Sequence, residues 1–127
     1  MTTVVAGLIR RGRSILICRR AAGGAHPLKW EFPGGKVEAG ESPPEALVRE
    51  LREELEVRAE IGDEVERYEF QYPGKQPILL IFLAVSAFKG EPRNCVFAEM
   101  RWVDLRELPE FDFLEGDVAF VERLARG

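Results

Sequence analysis

Histidine is nearly missing from this chain: His26 is the only one among 127 residues. That excludes a histidine-rich metal site and disfavours a Ser-His-Asp triad, leaving carboxylates to carry any acid–base chemistry. Cysteine is scarce as well. Cys18 and Cys95 stand far apart and outside any CxxC pair, so zinc and dithiol motifs are absent, and two buried free thiols in a reducing compartment are expected. There is no long apolar run. The longest, Ile78–Phe88, has 11 residues and is broken by Ser86, against about 20 for a transmembrane helix. No charged segment followed by an apolar block opens the chain, so a cytoplasmic protein without a secretory signal is expected. Repeats, low-complexity tracts and linkers are also lacking, and the length suits one domain over residues 1–127. A pI near 5.2 with scattered basic residues disfavours nucleic acid polymers as partners.

Acidic residues are missing from one stretch in particular. Residues 1–30 hold no Asp or Glu and carry +6, whereas residues 31–66 hold 12 acids and come to −8. The overall −4 therefore conceals a sharp division within one domain.

What is present reads as alternating strands and helices. Val4–Arg10 and Ser14–Cys18, separated by Gly12, predict a hairpin. Residues 21–29 form a loop, Trp30–Phe32 a short strand, and Pro33-Gly34-Gly35 a turn. Glu64–Tyr72 and Met100–Val103 predict further strands, and the almost wholly apolar Ile78–Phe88 a central strand covered on both faces. A closing helix spans Asp117–Ala125, with Val118, Val121 and Leu124 on one side. The clearest element is a helix from about Ser42 to Leu55. Ser42 is its N-cap, Pro43 takes the first helical position, and Glu45 completes a capping box. Ala46, Leu47, Leu51 and Leu55 recur at helical spacing and give one buried stripe. Together these elements predict an α/β/α sandwich with a mixed β-sheet between helices.

On that helix Glu50, Glu53 and Glu54 stand at i, i+3 and i+4, hence about 5–6 Å apart on one face. Three like charges so placed need compensation. A divalent cation supplies it, since Mg²⁺ favours carboxylate oxygens and water; a solvated face paired with Arg49 and Arg52 is the other reading. Just upstream, Gly34-Gly35 can bring bare backbone close to a phosphate or lend a carbonyl to a metal.

The string from Gly35, GKVEAGESPPEALVRELREELEV, resembles the Nudix box: Gly35, Glu41, Arg49, Glu50, Leu51, Glu53 and Glu54 fill its fixed places, and Val57 is the closing aliphatic. One position departs, with Glu56 where the family usually has glycine, a change that bears on how the chain leaves the helix. The resemblance implies the Nudix fold and hydrolysis of a nucleoside diphosphate linked to another group, using Mg²⁺ or Mn²⁺. It implies Glu50, Glu53 and Glu54 as metal ligands with the Gly34 carbonyl as a further one, and Arg49 and Glu41 as the residues that orient them. Many relatives carry another acid six residues before a Trp. Here that place is Val96, and Glu99 is the nearest acid, carried as a candidate base or ligand.

The likeness extends across nearly the whole chain to the MutT-type branch, through Arg19-Arg20-Ala21-Ala22, Trp30-Glu31-Phe32-Pro33-Gly34-Gly35-Lys36 and Phe113-Leu114-Glu115-Gly116-Asp117. It implies that Arg20 grips phosphates, that Phe32 and Lys36 line the substrate site, and that Asp117 reads the base; as an N-cap, Asp117 has a purely structural alternative. The expected activity is Mg²⁺-dependent cleavage of a nucleoside triphosphate to monophosphate and pyrophosphate, with oxidised dGTP as substrate. A CTP, dCTP or modified-pyrimidine pyrophosphohydrolase is the alternative, because Asp rather than Asn stands at 117. A non-catalytic nucleotide sensor is disfavoured by the complete set of box glutamates. No nucleic acid polymer or membrane is expected as a partner, and a monomer or homodimer is expected.

Overall fold

A computed structural model describes residues 1–127. The elements run β1 (Thr2–Leu8), β2 (Arg10–Arg11), β3 (Ser14–Arg19), β4 (Trp30–Glu31), β5 (Gly34–Lys36), α1 (Pro43–Leu55), β6 (Arg58–Phe70), β7 (Ile78–Lys89), β8 (Glu99–Asp104), a 3-10 helix (Leu105–Glu110) and α2 (Glu115–Arg126). Two four-stranded sheets make the middle layer. The first is mixed, in the order β5-β1-β7-β6, with β1 parallel to β7 and the other pairs antiparallel. The second joins β2, β3 and β4, with β8 lying along β3 from Ser14 opposite Asp104 to Arg19 opposite Glu99.

The predicted hairpin is therefore only its tip. Arg10 and Arg11 pair with Ile15 and Ser14 around Gly12, whose φ of 57° suits glycine. Both edges of β1 are already taken by β5 and β7, so β3 pairs only with the residues beyond it, and the fully buried Ile9 marks the crossing between sheets. The expected turn at Pro33-Gly34-Gly35 is also a strand in part, since Gly34–Lys36 lies antiparallel on Val4–Ala6. Glycine marks close approach here rather than reversal: a Cβ on Gly34 would sit 2.0 Å from the Val5 carbonyl oxygen.

Strand alternation feeds two cores, one on each side of the sheet layer. Val5, Leu16, Ile81 and Leu83 face α1, whose Ala46, Leu47, Leu51 and Leu55 are fully buried. Ala6, Leu8, Ile15, Ile17, Leu80 and Phe82 face the other way, towards Phe120 and Val121 of α2 and Leu108 of the 3-10 helix. This confirms the sandwich and the central, doubly covered β7. On α2, the buried stripe is Asp117, Phe120 and Val121, so Phe120 takes the core place expected of Val118, which is 40% exposed. Cys18 is buried as expected, but Cys95 is exposed on the loop after β7.

Candidate active site

The N-terminus of α1 is built as expected. The Ser42 hydroxyl accepts from Glu45 N–H (3.2 Å) and the Glu45 carboxylate accepts from Ser42 N–H (2.8 Å). Fixing the helix start fixes the phase of everything downstream. The apolar stripe turns inward, and Arg49, Glu50, Glu53 and Glu54 emerge towards β5.

Arg49 is the hub. Its Nε and Nη2 donate to the two oxygens of Glu41 (2.7 and 2.9 Å), Nη1 donates to Glu50 (2.9 Å), and Nη2 donates to the Lys36 carbonyl (3.1 Å). Glu38 and Glu53 lie within ion-pair distance of the same Nη1, at 3.4 and 3.5 Å. One guanidinium thus gathers four carboxylates. The Glu41 carboxyl is held down to about 2 by the Arg49 hydrogen bonds, helped by the Glu38 N–H. Glu50 goes the other way. Burial pushes its pKa up, and Arg49 only partly offsets this.

Glu54 carries the largest imbalance. Its carboxylate accepts from the Gly34 N–H at 3.1 Å, yet burial, with Glu50 and Glu31 adding repulsion, raises its pKa to about 8. The glycines permit this crowding, for a Cβ on Gly35 would lie 2.7 Å from the Glu50 carboxylate carbon. The set suits a hard divalent cation: oxygen donors, net negative charge and a buried carboxylate short of positive partners. It is not a preformed cage, since no three His, Cys, Asp or Glu side chains converge at metal-binding geometry. Arg49 and the Gly34 amide hold the carboxylates apart.

Next to Glu54 opens a cleft of about 230 Å³ lined by Arg20, Glu31, Val96 and Phe97, with Ala21, Gly24 and Ala25 from the loop after β3. Arg20 is anchored there. Its Nη1 donates to both oxygens of Glu31 (3.1 and 3.2 Å) and its Nε to the Ala25 carbonyl (2.9 Å). Burial raises the Glu31 pKa against the pull of Arg20, and Glu31 with Glu54 adds to the burial that raises Cys18 beneath them.

Glu31 is the site residue that sequence reasoning missed. Its signal was a lone acid between Trp30 and Phe32, in a segment otherwise apolar.

Asp117 is only 5% exposed, in the first turn of α2 behind Leu114, and it caps nothing. Burial, with Glu31 adding to it, raises its pKa to about 7, while Arg20 opposes. Tyr72 Oη accepts from Gly116 N–H (3.0 Å) and Tyr68 Oη donates to the Gly116 carbonyl (2.5 Å), locking the turn that presents Asp117.

Phe32, Lys36 and Glu99 make other contacts. The Phe32 ring is core, packed with Phe82, Phe113 and Phe120 at 5.3–6.3 Å between centroids, and the residue is buried. Lys36 contributes its carbonyl to Arg49, and its ammonium makes no ion pair. Glu99, at the start of β8, pairs with Arg101 and Arg19.

Comparison with known proteins agrees with this architecture. The NUDIX domain family model matches residues 1–124. The chain is 36% identical over 124 residues to an 8-oxo-dGTP diphosphatase of Escherichia coli, covering 97% of this chain and 95% of that protein. It is 35% identical over 122 residues to a CTP pyrophosphohydrolase of the same organism, covering 96% and 90%. The crystal structure of a MutT protein from Methanosarcina mazei superposes with a TM-score of 0.87 at 26% identity, covering 98% of this chain and 93% of that one. With the box residues gathered around Arg49 and this match over nearly its full length, the chain belongs to the Nudix family.

Proposed function

We infer that the chain, acting as one domain over residues 1–127, hydrolyses a nucleoside triphosphate to the monophosphate and pyrophosphate, with oxidised dGTP as the preferred substrate. One observation carries this reading: the buried, charge-deficient Glu54 faces the same cleft as the anchored Arg20, so a cation-binding end adjoins a phosphate-binding one. Nudix hydrolases use a divalent metal. Mg²⁺, with Mn²⁺ as substitute, would be held by Glu50, Glu53 and Glu54 with the Gly34 carbonyl, and would supply charge neutralisation on the polyphosphate and acidify a water. Arg49, clamped by Glu41, orients these carboxylates. Arg20 steadies the phosphates, and an α1 glutamate takes the proton of the attacking water.

The protonation state of Asp117 bears on which base it would read. When neutral it donates as well as accepts, matching the carbonyl and N–H edge of 8-oxoguanine; when ionised it only accepts, matching an exocyclic amine. The second state favours the alternative reading, CTP or dCTP. Initial rates and products with 8-oxo-dGTP, dGTP, CTP, dCTP, 5-substituted dCTP, ADP-ribose and dinucleoside polyphosphates decide between them. Inactivity on all of these with Mg²⁺ and with Mn²⁺ refutes catalysis.

A further inference from the structure

A second concavity, of about 340 Å³, lies at the far end of the molecule from the catalytic cleft. Arg13 lines it from one end of β3 and Arg20 lines the catalytic cleft from the other, so about 20 Å of strand separates them. The helix α2 spans the same interval, with Asp117 in its first turn and Leu124–Arg126 at the second concavity.

Arg10, Arg13, Arg106 and Arg126 surround this concavity over a floor that includes Leu105 and Leu124. Asp104 is its one acidic side chain, and Arg106 occupies it through N–H (2.8 Å), Nε (3.2 Å) and Nη2 (3.4 Å). The other three arginines have no carboxylate partner. In the whole chain only Arg10, Arg13, Arg52, Arg58 and Arg126 lack one, and three of these five meet here. Four guanidinium groups here face a single side-chain carboxylate, Asp104, which Arg13 also feels, and terminal Gly127 lines the same concavity; the excess of positive charge repels itself, and a bound anion relieves that repulsion. The carbonyls at the end of α2 favour cations, so the guanidinium groups themselves must supply the attraction.

We propose that this arginine-lined concavity is a second, non-catalytic site for a polyphosphate anion. Guanidinium forks match phosphate oxygens bidentately, and the volume falls in the range of small-ligand sites. Two sources share that chemistry: free pyrophosphate and the triphosphate of a nucleotide, whose base would rest on Leu105 and Leu124. The site is independent of which nucleotide the enzyme prefers.

The test follows backbone amide shifts of the full chain in EDTA at low salt, while inorganic pyrophosphate, and separately dGTP or CTP, is added. Saturable shifts at Gly12, Arg13, Leu105 and Arg126 are expected. A response to pyrophosphate alone identifies the free anion as ligand, and a response only to the nucleotides identifies the nucleoside triphosphate; either supports the site. The double variant Arg13→Gln/Arg126→Gln should weaken this binding at least about tenfold, with its amide spectrum and turnover otherwise retained. Shifts confined to the neighbourhood of Arg20, Gly34 and Glu54, or equal binding by the double variant, would overturn the proposal. If that double variant fails to fold, Arg10→Gln provides the same comparison.

Discussion

Replacing Glu56 by glycine should make the protein more stable. Glu56 ends α1 in the left-handed region, at φ 56° and ψ 34°, while its N–H donates to the Arg52 carbonyl. A side chain there costs about 1–2 kcal/mol, and glycine removes that cost. Against this, glycine loosens the unfolded chain by about 0.4–1 kcal/mol. The Glu56–Arg93 ion pair is also lost, but at 3.7 Å between exposed side chains it is worth well under about 1 kcal/mol. The net gain is about 0.5–1 kcal/mol. With an unfolding entropy of about 2.1 cal/mol/K per residue, that raises Tm by about 2–4 °C. Thermal and urea unfolding of Glu56→Gly measure it, with Glu56→Ala as control, which loses the ion pair but keeps the backbone strain. Equal or lower stability of Glu56→Gly relative to the parent would refute the argument. It would mean that Glu56 occupies its left-handed geometry without cost.

Glu54→Gln should lower turnover about 100-fold or more while circular dichroism stays unchanged; near-parental rates would reduce the box to a solvated face. Arg49→Lys keeps the charge but loses the fork that joins Glu41 to Glu50, and should cost about 10–100-fold in apparent metal affinity, read by Mn²⁺ titration. Asp117 has a pKa raised well above its unfolded value, so it favours the native state when protonated and opposes it progressively as pH rises from about 4 to about 7. Asp117→Asn should therefore stabilise the protein more at pH 8 than at pH 5, and change the ranking of nucleotides more than the overall rate. Denaturant midpoints at the two pH values and the substrate panel check both statements. Leu51→Ala, fully buried against β-strands of both sheets, should cost about 2–5 kcal/mol in unfolding free energy.

Helix α1 was legible to the residue, because its cap, proline, acidic first turn and apolar spacing are all local. The carboxylate face followed from that helical phase alone. Sheet membership was not legible. Whether β1 pairs with β3 or β7 depends on which edges are free, and that is settled by strands far along the chain. Gly34 and Gly35 misled for a related reason: glycine serves turns and close approaches alike, and only the positions of Val5 and Glu50 decide between them. Glu31 was hidden because its meaning lies in neighbours from β3, α1 and α2, which no local pattern reports. Asp117 stood out in the sequence, but its burial was not foreseen. It follows from α2 starting at Glu115 and from Tyr68 of β6 and Tyr72 just beyond it holding Gly116.

The bidentate clasp of Arg49 on Glu41 settles a rivalry that any cation site with its own arginine must face. A guanidinium close to two proposed ligands, Glu50 and Glu53, competes with an incoming metal for the same oxygens. Here the acid that engages two of its nitrogens is Glu41, which lies outside the ligand set, and the Lys36 carbonyl takes a further share. Arg49 can thus give up Glu50 and Glu53 and still be satisfied. On this arrangement Glu41 acts as a decoy: it keeps the arginine near enough to shape the carboxylates and occupied enough to let them go.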